Sequence, residues 1–218
     1  MATTPLDELR DRVEEILADT GNAIWSTGNL DEAITQALHE YSQARPQEKE
    51  TSLTLDADGR EVATATITDL INVTEIWCNY DSTDPDFPPP IRPFRFWKDI
   101  GTIYVMGQYE PQNADVVRVF YTALHTIEDL DSADATTVPD EDITALAHGA
   151  AGYAAMTRSV DLAEMITVDR SAVERMEKWG QELLADFRSH LQAIARHRQD
   201  PVGHVPTGKL DRFEGDWT

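Results

Sequence analysis

The helical pattern of this chain is interrupted once, and that interruption limits what the whole can fold into. Apolar residues at helical spacing run from Pro5 to Ala44, stop, and resume from about Asp140 to Arg198. Between them, Thr51 to Thr122 reads as β structure, with many prolines and aromatics. Neither helical part looks able to fold alone. The two therefore close on each other, and the β stretch is an excursion from one helical body.

Local signals place the elements. Thr4 is a cap with Pro5 at the first helical position, and Leu6, Leu9, Val13, Ile16 and Leu17 form the stripe that follows. Thr20-Gly21 ends that helix. Asn29 and Glu32 form a capping box for a second helix with the stripe Leu30, Ala33, Ile34, Ala37, Leu38 and Tyr41, which ends at Pro46. Thr51 to Leu55 alternates, Asp58-Gly59 is a hairpin signal, and Val62 to Ile67 is expected to return antiparallel. Further strands are Ile71 to Tyr80, Thr102 to Met106 and Asp115 to Thr122, with an exposed loop over Asp81 to Pro90.

The third helix follows Thr137 and Pro139 and is dominated by alanine, with Gly149 and Gly152 among them. Each glycine costs a helix about 1 kcal/mol relative to alanine, so two of them imply close packing rather than propensity. Ser159 to Val168 is a short helix or loop. The last helix, from Asp169 or Arg170 to about Arg198, is roughly 40 Å long at 1.5 Å per residue. Its stripe is Val173, Met176, Leu183, Leu184, Phe187, Leu191 and Ile194. The fold class is therefore α+β: an antiparallel four-helix bundle with a long C-terminal helix, an inserted antiparallel β module and an extended tail. The body takes 1–46 and 124–198, the module 47–123, and the tail 199–218.

Composition narrows the chemistry. Hydrophobic residues make up 41% of the chain, enough for a real core. The formal charge is −22, from 40 acids against 18 bases, which repels phosphate and opposes DNA binding by counterion release. Lysines are few (Lys49, Lys98, Lys178, Lys209), a balance that fits a halophilic source and equally a high-GC genome. The single cysteine, Cys78, excludes an internal disulfide and reads as a buried small hydrophobe. No apolar run reaches a membrane span, and the first residues lack a signal core, so use without Sec export is expected.

Catalytic motifs fail one by one. Gly203 to Lys209 fits GxxxxGK, but Leu210 stands where Ser or Thr is needed and a helix precedes it. No histidine belongs to a Glu-x-x-His or HExxH pair, and His190 and His197 lie two turns apart, as solvated helix positions do. The acidic run Glu128 to Asp142 holds seven acids and no base, lacks calcium-loop spacing, and reads as a solvated loop. Asn72-Val73-Thr74 matches a glycosylation acceptor by chance within a strand. Most aromatics are core by default: Trp25, Trp77, Trp97, Trp179, Phe94, Phe96 and Tyr104. Trp217 differs, sitting at the end of a loose tail where docking into a partner competes with simple fraying.

Three stretches resemble the head–tail connector (adaptor, or head-completion) proteins of tailed viruses. They are Ala23 to Pro46 (AIWSTGNLDEAITQALHEYSQARP), Val117 to Asp131 (VRVFYTALHTIEDLD) and Thr137 to Ala155 (TVPDEDITALAHGAAGYAA). A long last helix bearing Trp179, Phe187 and Arg188 fits as well. The resemblance implies a virion neck protein that forms a ring, commonly of twelve subunits, beneath the portal protein, with a head-closure or tail-completion protein on its other side. Double-stranded DNA would pass through the lumen without sequence-specific binding, and no cofactor, metal, reaction or membrane is implied. The tail, with Val205, Leu210, Phe213 and Trp217, would dock on the portal. Arg170, Arg175, Arg188, Arg196 and Arg198 would pair with acids of the adjacent subunit, since arginine suits interface ion pairs. The rival readings are a metal- or nucleotide-dependent helical enzyme with a β lid, and a small acidic regulator of a basic partner.

Overall fold

A computed structural model describes residues 4–67, 69–81, 83, 91–164 and 170–199, with backbone alone at 164 and 197–199. Among the described residues four helices, α1 (Leu6–Leu17), α2 (Thr27–Ala44), α3 (Asp140–Glu164) and α4 (Arg170–Gln199), flank six strands between α2 and α3. The α+β expectation is borne out, including the long last helix. The tail residues Val205, Leu210, Phe213 and Trp217 lie outside the described residues.

The helical core gathers Leu9, Val13, Leu30, Ile34, Tyr41, Ile143, Leu146, Phe187 and Leu191 from all four helices. The alanine-rich face of α3 lies against α4 through bare backbone. A Cβ on Gly149 would stand 2.7 Å from the Phe187 ring, and one on Gly152 would stand 2.8 Å from Leu184 Cγ. A Cβ on Gly180 of α4 would come within 3.2 Å of the Gly152 carbonyl oxygen. The glycines thus let the two helices approach closely at these positions. α3 also runs through Ser159 to Glu164, so the first part of that stretch is a continuation of this helix.

Helix ends differ from the sequence expectation by a few residues, for local reasons. Pro5 takes the cap position of α1 itself, extended at ψ 164°. The Thr4 carbonyl instead accepts the Thr136 hydroxyl. Ala18, left-handed at φ 54°, stops α1 before Thr20-Gly21. Ser26, whose Oγ accepts the Asn29 N–H at 3.3 Å, caps α2 three residues ahead of the expected cap, Asn29. Asp19 then holds the intervening loop by accepting the N–H groups of Ala23, Ile24 and Trp25 at 2.8–3.0 Å. That places Trp25 in the core, where its Nε1 donates to the Ala154 carbonyl at 3.2 Å.

The strands form two antiparallel three-stranded sheets. One is ordered β1 (Gln47–Thr54), β6 (Val116–Ala123), β3 (Leu70–Cys78). The other is ordered β2 (Glu61–Ala63), β5 (Thr102–Val105), β4 (Phe94–Trp97). The expected hairpin at Asp58-Gly59 does not form. β1 pairs with β6 and β2 with β5, so the loop between them crosses from one sheet to the other. Gly59, at φ 142°, makes that crossing, and its N–H donates to the Pro111 carbonyl. The sheets enclose a second core of Leu55, Val62, Val73, Ile76, Ile103, Val105, Val117 and Val119. Cys78 sits in it, and burial pushes its thiol up to about 11.

The segment after β6 returns the chain to the helices. Its acids Asp129, Asp131, Asp134 and Asp140 are exposed, but Ile127, Leu130 and Val138 are buried in the helical core. It is thus a strap laid on the bundle, and the solvated-loop reading holds only for its exposed acids.

Candidate functional site

The most concentrated polar chemistry lies where α2, α3 and α4 converge beside the start of β1. Asp142, in the first turn of α3, is buried, with its side chain 4% exposed. Its Oδ2 accepts the Tyr41 hydroxyl and the Arg45 guanidinium, each at 2.6 Å, and its Oδ1 accepts His190 Nε2–H at 3.0 Å. Arg45 also reaches Glu141 at 3.2 Å. Burial raises the Asp142 carboxyl pKa, but the bonds from Tyr41, His190 and Arg45 outweigh it and hold the group below the usual carboxylate range. The same burial and carboxylate push the Tyr41 phenol well up.

His125 borders this hub. Its N–H donates to Ser42 Oγ at 3.0 Å, its Nδ1 lies 3.0 Å from the Thr137 carbonyl, and its ring meets Tyr41 edge-on at 5.1 Å. Burial lowers its pKa, so the neutral ring is the folded form. The hub thus welds three helices to the strand that enters the bundle. It offers a buried carboxylate held by three donors from three different parts of the chain, which suits structural joining. His190 is a member of it, which corrects the reading of that residue as merely solvated. The His197 side chain lies outside the described residues.

One turn earlier on α2, Glu40 accepts Arg188 Nε at 2.8 Å and the Tyr153 hydroxyl. Arg188 is therefore tied to α2 and α3 of its own chain. Arg170 and Arg175 make local contacts on α4, with Glu174 at 3.5 Å and Ser171 at 3.0 Å. Arg196 is exposed, and the side chain of Arg198 lies outside the described residues.

A third cluster occupies the outer face of the β1-β6-β3 sheet. The Arg118 guanidinium lies 4.6 Å from the Tyr80 ring centroid and 5.5–5.6 Å from those of Phe120 and Trp77, and pairs with Glu50. Trp77 and Phe120 pack at 4.8 Å. All four are half-buried, so the core-by-default reading of Trp77 does not describe it. Trp97 is likewise half-buried, 5.8 Å from Tyr104. Sequence pattern could have shown this cluster: Trp77, Arg118 and Phe120 occupy the strand face opposite the core positions Ile76, Val117 and Val119. Nothing in spacing pointed to Asp142, whose partners are far away in sequence.

Among the described residues no group of three or more His, Cys, Asp or Glu is placed to hold a metal ion, and no helix is long and apolar enough to cross a membrane. What the chain presents is joined elements and half-buried aromatic–arginine surface. That is the character of an assembly component. The sequence profile of the SU10 adaptor protein family matches residues 4–204, which takes in both helical parts and the β module. The chain belongs to that family: it is a phage adaptor protein, a structural component of the virion. The resemblance to head–tail adaptors is thereby borne out. No curated protein matches the chain.

Proposed function

We propose that this adaptor forms a homo-oligomeric ring, commonly a twelve-membered one in such proteins, beneath the portal protein in the virion neck. The helical body builds the ring and meets the portal, and the opposite side receives a head-closure or tail-completion protein. The genome passes through the lumen. The observation that carries this reading is the family match over residues 4–204, which spans body and module together.

The geometry supports it in two ways. Exposed arginines Arg170, Arg175 and Arg196 project from α4 in a chain of net charge −22, so each has abundant acidic partners on a second copy. The same acid excess suits a channel wall along which DNA slides, because it offers phosphate few ion pairs. Electron microscopy of the protein mixed with the portal of its own virus tests the proposal. An added ring of density below the portal is the expected result, and portals that stay bare at saturating protein would refute it.

A further inference from the structure

Each sheet of the β module has two edge strands, β1 and β3 in one and β2 and β4 in the other. At β3, Ile91 bridges to Trp77 and the Arg92 N–H donates to the Ile76 carbonyl at 3.2 Å, which covers the end of its outer edge. On the other side lie the outer edges of β1 and β2. Neither has a strand partner among the described residues. Between them is a cleft of about 1000 Å³ lined by residues 51–61, Ala63, Ala65 and Thr66.

Hydrogen-bond alternation says which backbone groups face that cleft. Leu55 bonds on the β6 side, donating to the Asp115 carbonyl and accepting from Ala114 N–H. In an antiparallel ladder alternate residues bond to the partner strand, so Leu53 and Thr51 also turn to β6 while Ser52 and Thr54 present N–H and C=O outward. Flanking β2, the Arg60 carbonyl accepts from Val105 N–H of β5, and the Thr64 N–H donates to the carbonyl of Gly101, the residue before β5. Val62 therefore faces β5 as well, and Glu61 and Ala63 present theirs outward. Two sets of unpaired backbone groups thus look into one cleft. Edges of this kind are usually blunted by lysine, proline or a bulge. Lys49 stands in the first half of β1 and β2 is three residues long, but residues 51–56 and 61–66 contain no lysine or proline, and both registers run unbroken.

Charge specifies the occupant. Asp56, Asp58, Glu61 and Glu110 line the cleft, and all four are exposed. The base among the lining residues, Arg60, is already engaged, donating to the carbonyls of Val105, Gly107 and Tyr109 at 2.8–3.3 Å. An acidic segment would be repelled by these four carboxylates, so the local charge matches a basic one. We infer that the cleft between β1 and β2 accepts an extended, basic segment of a different protein, which adds as a strand and bridges the two sheets. The edges accommodate about five residues, roughly 16 Å at 3.3 Å per residue. This goes beyond the adaptor reading, and stands independently of whether the helical body builds a ring.

The test uses the full chain and a labelled peptide of alternating arginine and valine, with binding followed by fluorescence anisotropy. A peptide alternating glutamate and valine controls for charge. The arginine peptide N-methylated at alternate backbone nitrogens controls for strand pairing and leaves the protein untouched. Expected are binding of the arginine peptide, no binding of the glutamate peptide, and at least about tenfold weaker binding of the methylated one, since two or more hydrogen bonds are lost. Hydrogen exchange at Ser52, Thr54, Glu61 and Ala63 should slow on binding. Ser52→Pro and Ala63→Pro each remove an outward donor without touching the inner ladders, and each should weaken binding about tenfold with unchanged circular dichroism. Equal affinity for the methylated peptide would show attraction by charge alone and overturn the inference. So would absence of binding, or closure of the cleft by a second copy of the chain.

Discussion

Phe187 of α4 rests on the bare Cα of Gly149 in α3, so closely that a Cβ there would lie 2.7 Å from its ring. Phe187 is 1% exposed and cannot swing away into solvent. Alanine at Gly149 gains about 1 kcal/mol of helix propensity. Overpacking costs about 1–3 kcal/mol. The expected net effect is a loss of about 1 kcal/mol. Gly152→Ala should cost more, about 2 kcal/mol, because its new methyl would also lie 3.1 Å from the backbone nitrogen of Leu184, which no rotamer change relieves. Urea denaturation of the two variants checks both the sign and the order.

These glycines were legible in the sequence because a helix tolerates two of them only for a reason, and close approach is the commonest. The helical body was legible for a similar cause: amphipathic periodicity reports one buried face, and four such faces need each other. The pairing of β1 was not legible. Asp58-Gly59 carries the residues of a tight hairpin, yet β6 presents a longer complementary edge, and the Gly59 turn serves as well to cross between sheets. The Asp142 hub was also hidden. Its partners Tyr41, Arg45 and His190 stand 48 to 101 positions away, and an aspartate in the first turn of a helix already has an ordinary explanation in the helix dipole.

The hub makes stability depend on pH in two separate windows. Asp142 has its folded pKa depressed by its three donors against the opposing effect of burial. The stability it contributes is present above the unfolded value near 3.8 and is lost as pH falls through the folded one. His125 is depressed by burial from 6.5, so the unfolded chain takes up its proton first, and stability falls as pH drops from about 6.5 toward the folded value. Asp142→Asn should cost about 2 kcal/mol at pH 7, discounted from the cost of a broken buried pair because Arg45 is one-third exposed. It should also flatten the acid limb. His125→Gln should flatten the limb just below neutrality while leaving the acid limb in place. Denaturant midpoints measured from pH 3 to 8 separate the two.

Arg188 and Arg196 lie two turns apart on α4 and should behave differently. Arg188 reaches Glu40, which also accepts from Tyr153, but the arginine is half exposed, so solvent screens the pair. Arg188→Ala is expected to lower the stability of the isolated chain by at most about 1 kcal/mol. Arg196 is exposed, and its replacement by alanine should leave stability within about 0.5 kcal/mol. If α4 meets a second copy, Arg196→Ala should instead reduce ring formation on the portal. Thermal melting of the isolated chain, paired with particle counts by electron microscopy, distinguishes a residue spent within the chain from one available to a neighbour.

Removal of residues 200–218 should separate folding from docking. Among the described residues the helical core and its flanking apolar contacts extend no further along α4 than Ile194. The family match ends at 204, ahead of Val205, Leu210, Phe213 and Trp217. The truncated chain is therefore expected to keep its melting temperature within about 2 °C, no more than the shift that a loss of 1 kcal/mol produces in a domain of this size. Portal binding should fall much further. A docked tryptophan commonly carries 2 kcal/mol or more of an interface, which is about thirtyfold in affinity at 1.4 kcal/mol per factor of ten. Portal capture by the two forms at matched concentrations measures the difference, with Trp217→Ala as the single-residue counterpart. Equal capture would move the docking role to the helical body, and a lowered melting temperature would show that the tail belongs to the fold.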